Sequence, residues 1–136
     1  MNLSKQTRIL MILSLLGMGL ILLTRFVRPN LVDPQEWVRF LFGVLPNFGA
    51  GLALPGVFST VISGYVKSQG REISPAKTII LATFISVAGL FGWEFLQYFF
   101  WNYPVDLFDL AATFLGGAIA LGMGLGAKGR EQRIEN

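Results

Sequence analysis

The chain contains no cysteine and no histidine. That excludes disulfide frameworks and chemistry that needs a thiolate or an imidazole: His–Cys zinc sites, serine–histidine hydrolases and histidine phosphatases. Charge is scarce as well. Only 14% of the 136 residues are charged, against about 25% in an average soluble domain. A soluble fold of this length needs far more polar surface to cover one core, so a water-soluble enzyme or nucleic-acid module is excluded. What is present is 53% hydrophobic, with a mean hydropathy of +0.58. This is the composition of a small integral membrane protein, one membrane domain over residues 1–136.

A spanning helix needs about 20 predominantly apolar residues. Four segments meet that length: 9–27, 46–66, 75–100 and 107–127. Their apolar runs are continuous rather than alternating and are longer than a barrel strand. The expected fold is therefore all-α and polytopic, with four transmembrane helices. Lys5 and Arg8 ahead of Ile9–Leu23 invite a signal-peptide reading. The run ends in Thr24-Arg25-Phe26-Val27-Arg28-Pro29, with no small-x-small cleavage site, and is read as an uncleaved anchor.

Basic residues set the orientation. Four spans put Lys5, Arg8, Lys67, Arg71, Lys77, Lys128, Arg130 and Arg133 on one side, leaving Arg25, Arg28 and Arg39 on the other. The expected location is a cell membrane, with both termini cytoplasmic and the bilayer as the first partner. The net charge of +3 follows from this asymmetry and needs no nucleic acid to explain it.

Within Asp33-Pro34-Gln35-Glu36, Asp33 has the chemistry of an N-cap, Pro34 suits N1 and Glu36 the reaching-back position of a capping box. Trp37, Phe40, Leu41, Val44 and Leu45 follow at helical spacing, with Glu36, Arg39 and Gly43 on the other side. This predicts a short amphipathic helix over 34–45 lying in the outer interface; the alternative is an extension of span two through Pro46. Span two is irregular, with Pro46, Gly49, Gly51, Pro55 and Gly56, and a kink is expected at Pro55. Ser74-Pro75 opens span three as N-cap and N1. Ala112, Gly116, Ala120 and Gly124 form a small-residue stripe on span four. Such a stripe admits another backbone closely, that of span three, span two or a second copy in a homo-oligomer. The tail from Lys128 to Asn136 is polar and expected to fray.

Glu94 carries the most information. It lies roughly 9 Å inside the end of its helix at about 1.5 Å per residue, where an ionisable group is expensive unless paired or hydrated. Gln97 shares its face. Because span four must return beside span three, Asp106 and Asp109 converge on the same region, with Thr113 one turn below. The nearest expected cation is Arg39, ahead of Arg25 and Arg28, and Asn47 is a further candidate. Asp106 and Asp109 also have the spacing of an N-cap and an N3 carboxylate, and Glu94 with Gln97 also reads as hydrogen-bonding glue between helices. The functional alternative is a polar pocket at the outer face. Trp101, Tyr103 and Tyr98 read as an interface belt.

Glu94-Phe95-Leu96-Gln97, Asp106-Leu107-Phe108-Asp109, Thr113 and Gly116-Gly117 together resemble the VanZ-like family of small bacterial membrane proteins. Members carry a Glu-x-x-Gln pair near the end of one span. A basic residue and two aspartates follow, and then an Asn and a Gly-rich stretch in the last span. Glu94, Gln97, Asp106, Asp109 and Gly116 match; Thr113 stands where Asn is usual and Tyr103 where the basic residue is expected. The resemblance covers about residues 37–125. It implies a polytopic all-α protein acting in the cell envelope or on a lipid-linked species, in a family named for resistance to teicoplanin-type glycopeptides. It implies no particular reaction.

The expected function is an outward-facing acidic and amide pocket (Glu94, Gln97, Asp106, Asp109, Thr113 and Arg39) that binds an anionic or lipid-linked envelope headgroup, or a cation. The alternatives are a dimeric proton-coupled transporter, with Glu94 as proton site, and a structural subunit of a membrane complex. No nucleophile–base pair and no phosphate-cradling glycine loop is visible, so enzymatic activity is not expected, and neither a metal nor a cofactor is called for.

Overall fold

The computed structural model describes residues 4–131, with side chains through 127. Four helices carry the chain: α1 (Lys5–Val27), extended by a 3-10 turn over Arg28–Asn30, α2 (Glu36–Ser68), α3 (Pro75–Trp101) and α4 (Leu107–Glu131). All four are long and apolar enough to cross a membrane. Their ends are set by local chemistry. The Ser74 hydroxyl accepts from the Lys77 amide at 3.3 Å, with Pro75 at N1 as expected. At the other end of α3, Asn102 takes the left-handed conformation (φ 54) and donates its amide to the Tyr98 carbonyl at 3.1 Å. Asn visits that region more readily than bulkier residues. The tail was expected to fray from Lys128, but α4 runs on to Glu131; residues 132–136 lie outside the described residues.

The expected interfacial helix over 34–45 is not a separate element. α2 begins at Glu36 and runs unbroken through Pro46 and Pro55 to Ser68, which is the extension of span two. Each proline removes one backbone donor, but packing on neighbouring helices holds the backbone helical on either side. Asp33 is not the cap either. It sits at φ 45, a conformation Asp tolerates in turns, and Gln35 precedes the helix without a side-chain cap bond.

The helices alternate up and down. Gly17 and Leu10 of α1 meet Gly49 and Gly56 of α2, Gly51 meets Thr113, and Gly117 and Gly124 of α4 meet Val87 and Ile79 of α3. α2 packs on all three other helices, whereas α1 and α3 occupy opposite corners. The close approaches are made by small residues. A Cβ at Gly17 would strike the Gly49 carbonyl, and one at Gly51 would strike the Thr113 carbonyl. Lipid tails are as apolar as leucine, so tight van der Waals packing, not hydrophobic burial, joins such helices. The core accordingly holds Ala53, Ala82, Ala120, Thr78 and Ser86, while Leu15, Phe84 and Phe99 stand on the outer surface.

The small-residue stripe of α4 finds its partner in the same chain. Gly116 abuts Phe48 and Leu52 of α2, Ala120 is fully buried, and Gly124 packs on Ile79 and Leu10. Of the four residues through which a homo-oligomer was drawn, Gly116, Ala120 and Gly124 are buried within the chain and Ala112 is half-buried. α2 lies against Gly116, and α1 and α3 lie against Gly124.

Candidate functional site

The end of the bundle opposite the first turn of α1 carries the α1–α2 and α3–α4 connections, and Arg28, Glu36, Arg39, Asp106 and Asp109 gather there. Glu36, Arg39, Phe40, Gly43 and Val44 share one face over the first turns of α2 by their three- and four-residue spacing. Asp106 and Asp109 stand at the start of α4, and Arg28 at the end of α1. These eight residues surround an open cleft of about 560 Å³. An edge-to-face contact between Phe40 and Phe108, with centroids 5.2 Å apart, fastens the first turns of α2 and α4 together beside it. A second cavity of about 260 Å³ adjoins it at Arg28, lined by Ile21, Thr24, Arg25, Pro29 and Pro46.

The expected site divides into two tiers. Arg39, Asp106 and Asp109 line the cleft. Glu94, Gln97 and Thr113 do not. Glu94 is 9% exposed, within electrostatic reach of Asp109 and Asp106, and accepts a long 3.4 Å bond from the Gln97 amide. Thr113 is 2% exposed at the crossing with α2. The α3–α4 hairpin thus brings Glu94, Asp106 and Asp109 together.

Three residues gain weight. Arg28 was ranked behind Arg39 as a cation, yet it lines the cleft and acts electrostatically on Asp109. Its position just before Pro29, where the 3-10 turn carries it out of α1, is the signal that marks it. Asn47 stands beside Asp109, as its place at the outer start of span two suggested. Glu36 was read as a capping residue on the polar face shared with Arg39 and Gly43, and it lines the cleft; that shared helical spacing was the available clue to the site.

Asp106 also caps α4, accepting from the Phe108 amide at 2.8 Å. Its two roles separate by substitution. Asp106→Ala is expected to destabilise the protein by about 1 kcal/mol, whereas Asp106→Asn, which caps equally well, costs only a few tenths. Denaturation of both variants in mild detergent checks this; equal losses would mean that the cap is not what Asp106 contributes to stability.

Among the described residues, no group of three or more acidic side chains is arranged to hold a metal ion. The arrangement suits a polar ligand offering both charge signs, approached from the end of the bundle. Comparison with protein-family models, with curated proteins and with solved structures found no match to this chain.

Proposed function

We propose that the chain is a VanZ-like protein of the bacterial cytoplasmic membrane, with both termini in the cytoplasm and the cleft facing outward, where it binds the headgroup of an envelope lipid and acts in cell-envelope function or glycopeptide resistance. One observation carries this reading. Two of the acidic residues that prompted the resemblance, Asp106 and Asp109, line a cleft with two guanidinium groups, and Glu94, bonded to Gln97, is within electrostatic reach of both. Charged residues collected at the end of a membrane bundle are positioned to meet headgroups, which lie at that depth. The positive-inside pattern of Lys5, Arg8, Lys67, Arg71 and Lys77 supports the outward orientation of this end.

The test is retention of lipid by the full chain. Extracted from a bacterial membrane into native-lipid nanodiscs, the protein is expected to carry bound phospholipid that Arg39→Gln and Asp109→Asn each reduce about tenfold, the loss of one charge-assisted contact. The same variants should remove any shift in teicoplanin susceptibility that the parent confers on its host. Parental lipid content in both variants, at normal abundance, would refute the reading.

A further inference from the structure

We propose that the cleft selects a zwitterionic headgroup, a phosphodiester linked to a primary ammonium as in an ethanolamine phospholipid. The phosphate lies against Arg28 and Arg39, and the ammonium against Asp106 and Asp109. This rests on the lipid-binding reading above and narrows it to one headgroup class.

The first argument is charge. The cleft presents two guanidinium groups from the end of α1 and the start of α2, and two carboxylates from the start of α4. Glu36 adds a third lining carboxylate, and Glu94 is within electrostatic reach of Asp109 and Asp106. A purely anionic headgroup would pair the arginines but leave these acids facing a like charge. A simple cation would compete with the two arginines for the same carboxylates. A ligand with one charge of each sign pairs both sets.

The second argument separates primary from quaternary amines. A primary ammonium offers three N–H donors, and Asp106, Asp109 and the neighbouring Asn47 provide oxygen acceptors. Choline has no N–H and is held by aromatic faces. The cleft contributes one aromatic ring, Phe40, already engaged with Phe108.

The third argument is that a lipid fits better than a free headgroup. The volume of about 560 Å³ lies within the usual span of small-molecule sites. The floor beside Phe40 and Val44 is apolar, and the adjoining cavity, sharing Arg28, continues past Thr24 to Ile21 and Pro46. A chain attached to a phosphate held by Arg28 thus has an apolar path between α1 and α2.

The experiment is native mass spectrometry of the full chain after exchange into phosphatidylcholine nanodiscs doped in turn with phosphatidylethanolamine or phosphatidylglycerol, and separately with water-soluble glycerophosphoethanolamine. The expected result is roughly tenfold preference for phosphatidylethanolamine over both other lipids. Asp109→Asn should level ethanolamine with glycerol lipids, and Arg39→Gln should weaken both. Parental ranking alone is informative, so the test survives if a variant fails to fold. Equal or greater retention of phosphatidylglycerol or phosphatidylcholine, still sensitive to Arg39→Gln, overturns the headgroup choice and leaves a lipid-binding cleft standing. Competition by the soluble headgroup as effective as that of the lipid overturns the lipid source. No lipid retention sensitive to Arg39→Gln overturns both this inference and the reading beneath it.

Discussion

Gly116→Leu is expected to leave little folded bundle. A Cβ at this position would strike the Phe48 carbonyl and come within 2.8 Å of the Leu52 amide nitrogen. Both obstacles are backbone of α2, so no flexible side-chain tip can swing aside, and α2 and α4 must separate along their crossing. Overpacking a tight interior typically costs about 1–3 kcal/mol and sometimes more. The upper end applies here, because close backbone approach is itself what joins membrane helices. Gly122 supplies the control. It lies on the same helix with nothing within 4 Å of its added Cβ, so Gly122→Leu should be tolerated, its side chain entering lipid. Unfolding by a strong detergent in a mild-detergent background reads both variants. Gly116→Leu within about 0.5 kcal/mol of the parent, the range of a neutral surface change, would mean that α2 and α4 do not cross at this point.

Glu94→Gln is expected to raise stability while lowering lipid retention. Glu94 is nearly buried, its hydrogen-bond partner is the 3.4 Å contact from Gln97, and its neighbours Asp109 and Asp106 are carboxylates. An acid in such surroundings stabilises a bundle poorly. Its isosteric amide fills the same volume, keeps the polar contact and removes the like-charge encounter. A gain of about 1 kcal/mol, with reduced phospholipid content, is the pattern of a residue kept for activity at the expense of stability. If Glu94 were instead glue between helices, the substitution would lower stability or leave it unchanged and would not alter the bound lipid. Detergent unfolding and lipid quantification on the same preparations separate the two outcomes.

The length of their continuous apolar runs made the spans legible. α4 starts at Leu107 as expected, and Ser74-Pro75 opens α3 as its chemistry indicates. The start of α2 was misread for a physical reason. Asp33-Pro34 carries a strong local signal for a helix start, and Pro46 a strong signal for an interruption, but neighbouring helices decide whether such signals prevail. Here α2 lies against three other helices, and that packing carries it through Pro46 without a break.

The acidic residues of the site were found by asking which ionisable groups lie too deep to be ordinary. That question picks out Glu94 and, through the short α3–α4 connection, Asp106 and Asp109. It could not rank the cations. The choice between Arg28 and Arg39 depends on where the α1–α2 connection leaves the bundle, and the 3-10 turn at Arg28–Asn30, which brings Arg28 to the cleft, has no clear sequence mark beyond Pro29. The separation of Glu94 from the cleft lining was equally hidden. A shared helix face fixes neighbours along one helix, not which of them a second helix covers.

The unbroken course of α2 ties the cleft to membrane thickness. Its 33 residues make a rod roughly 50 Å long at about 1.5 Å per residue, against a hydrocarbon slab of about 30 Å. Such a rod tilts or protrudes, and the segment bearing Glu36 and Arg39 forms its outer tip. Thickening the bilayer draws these charges toward the acyl region, whereas thinning lifts them into water, each ångström of mismatch costing a fraction of a kcal/mol. Under the proposed headgroup-binding function, acyl-chain length becomes a control knob on affinity that acts without touching any residue in the cleft.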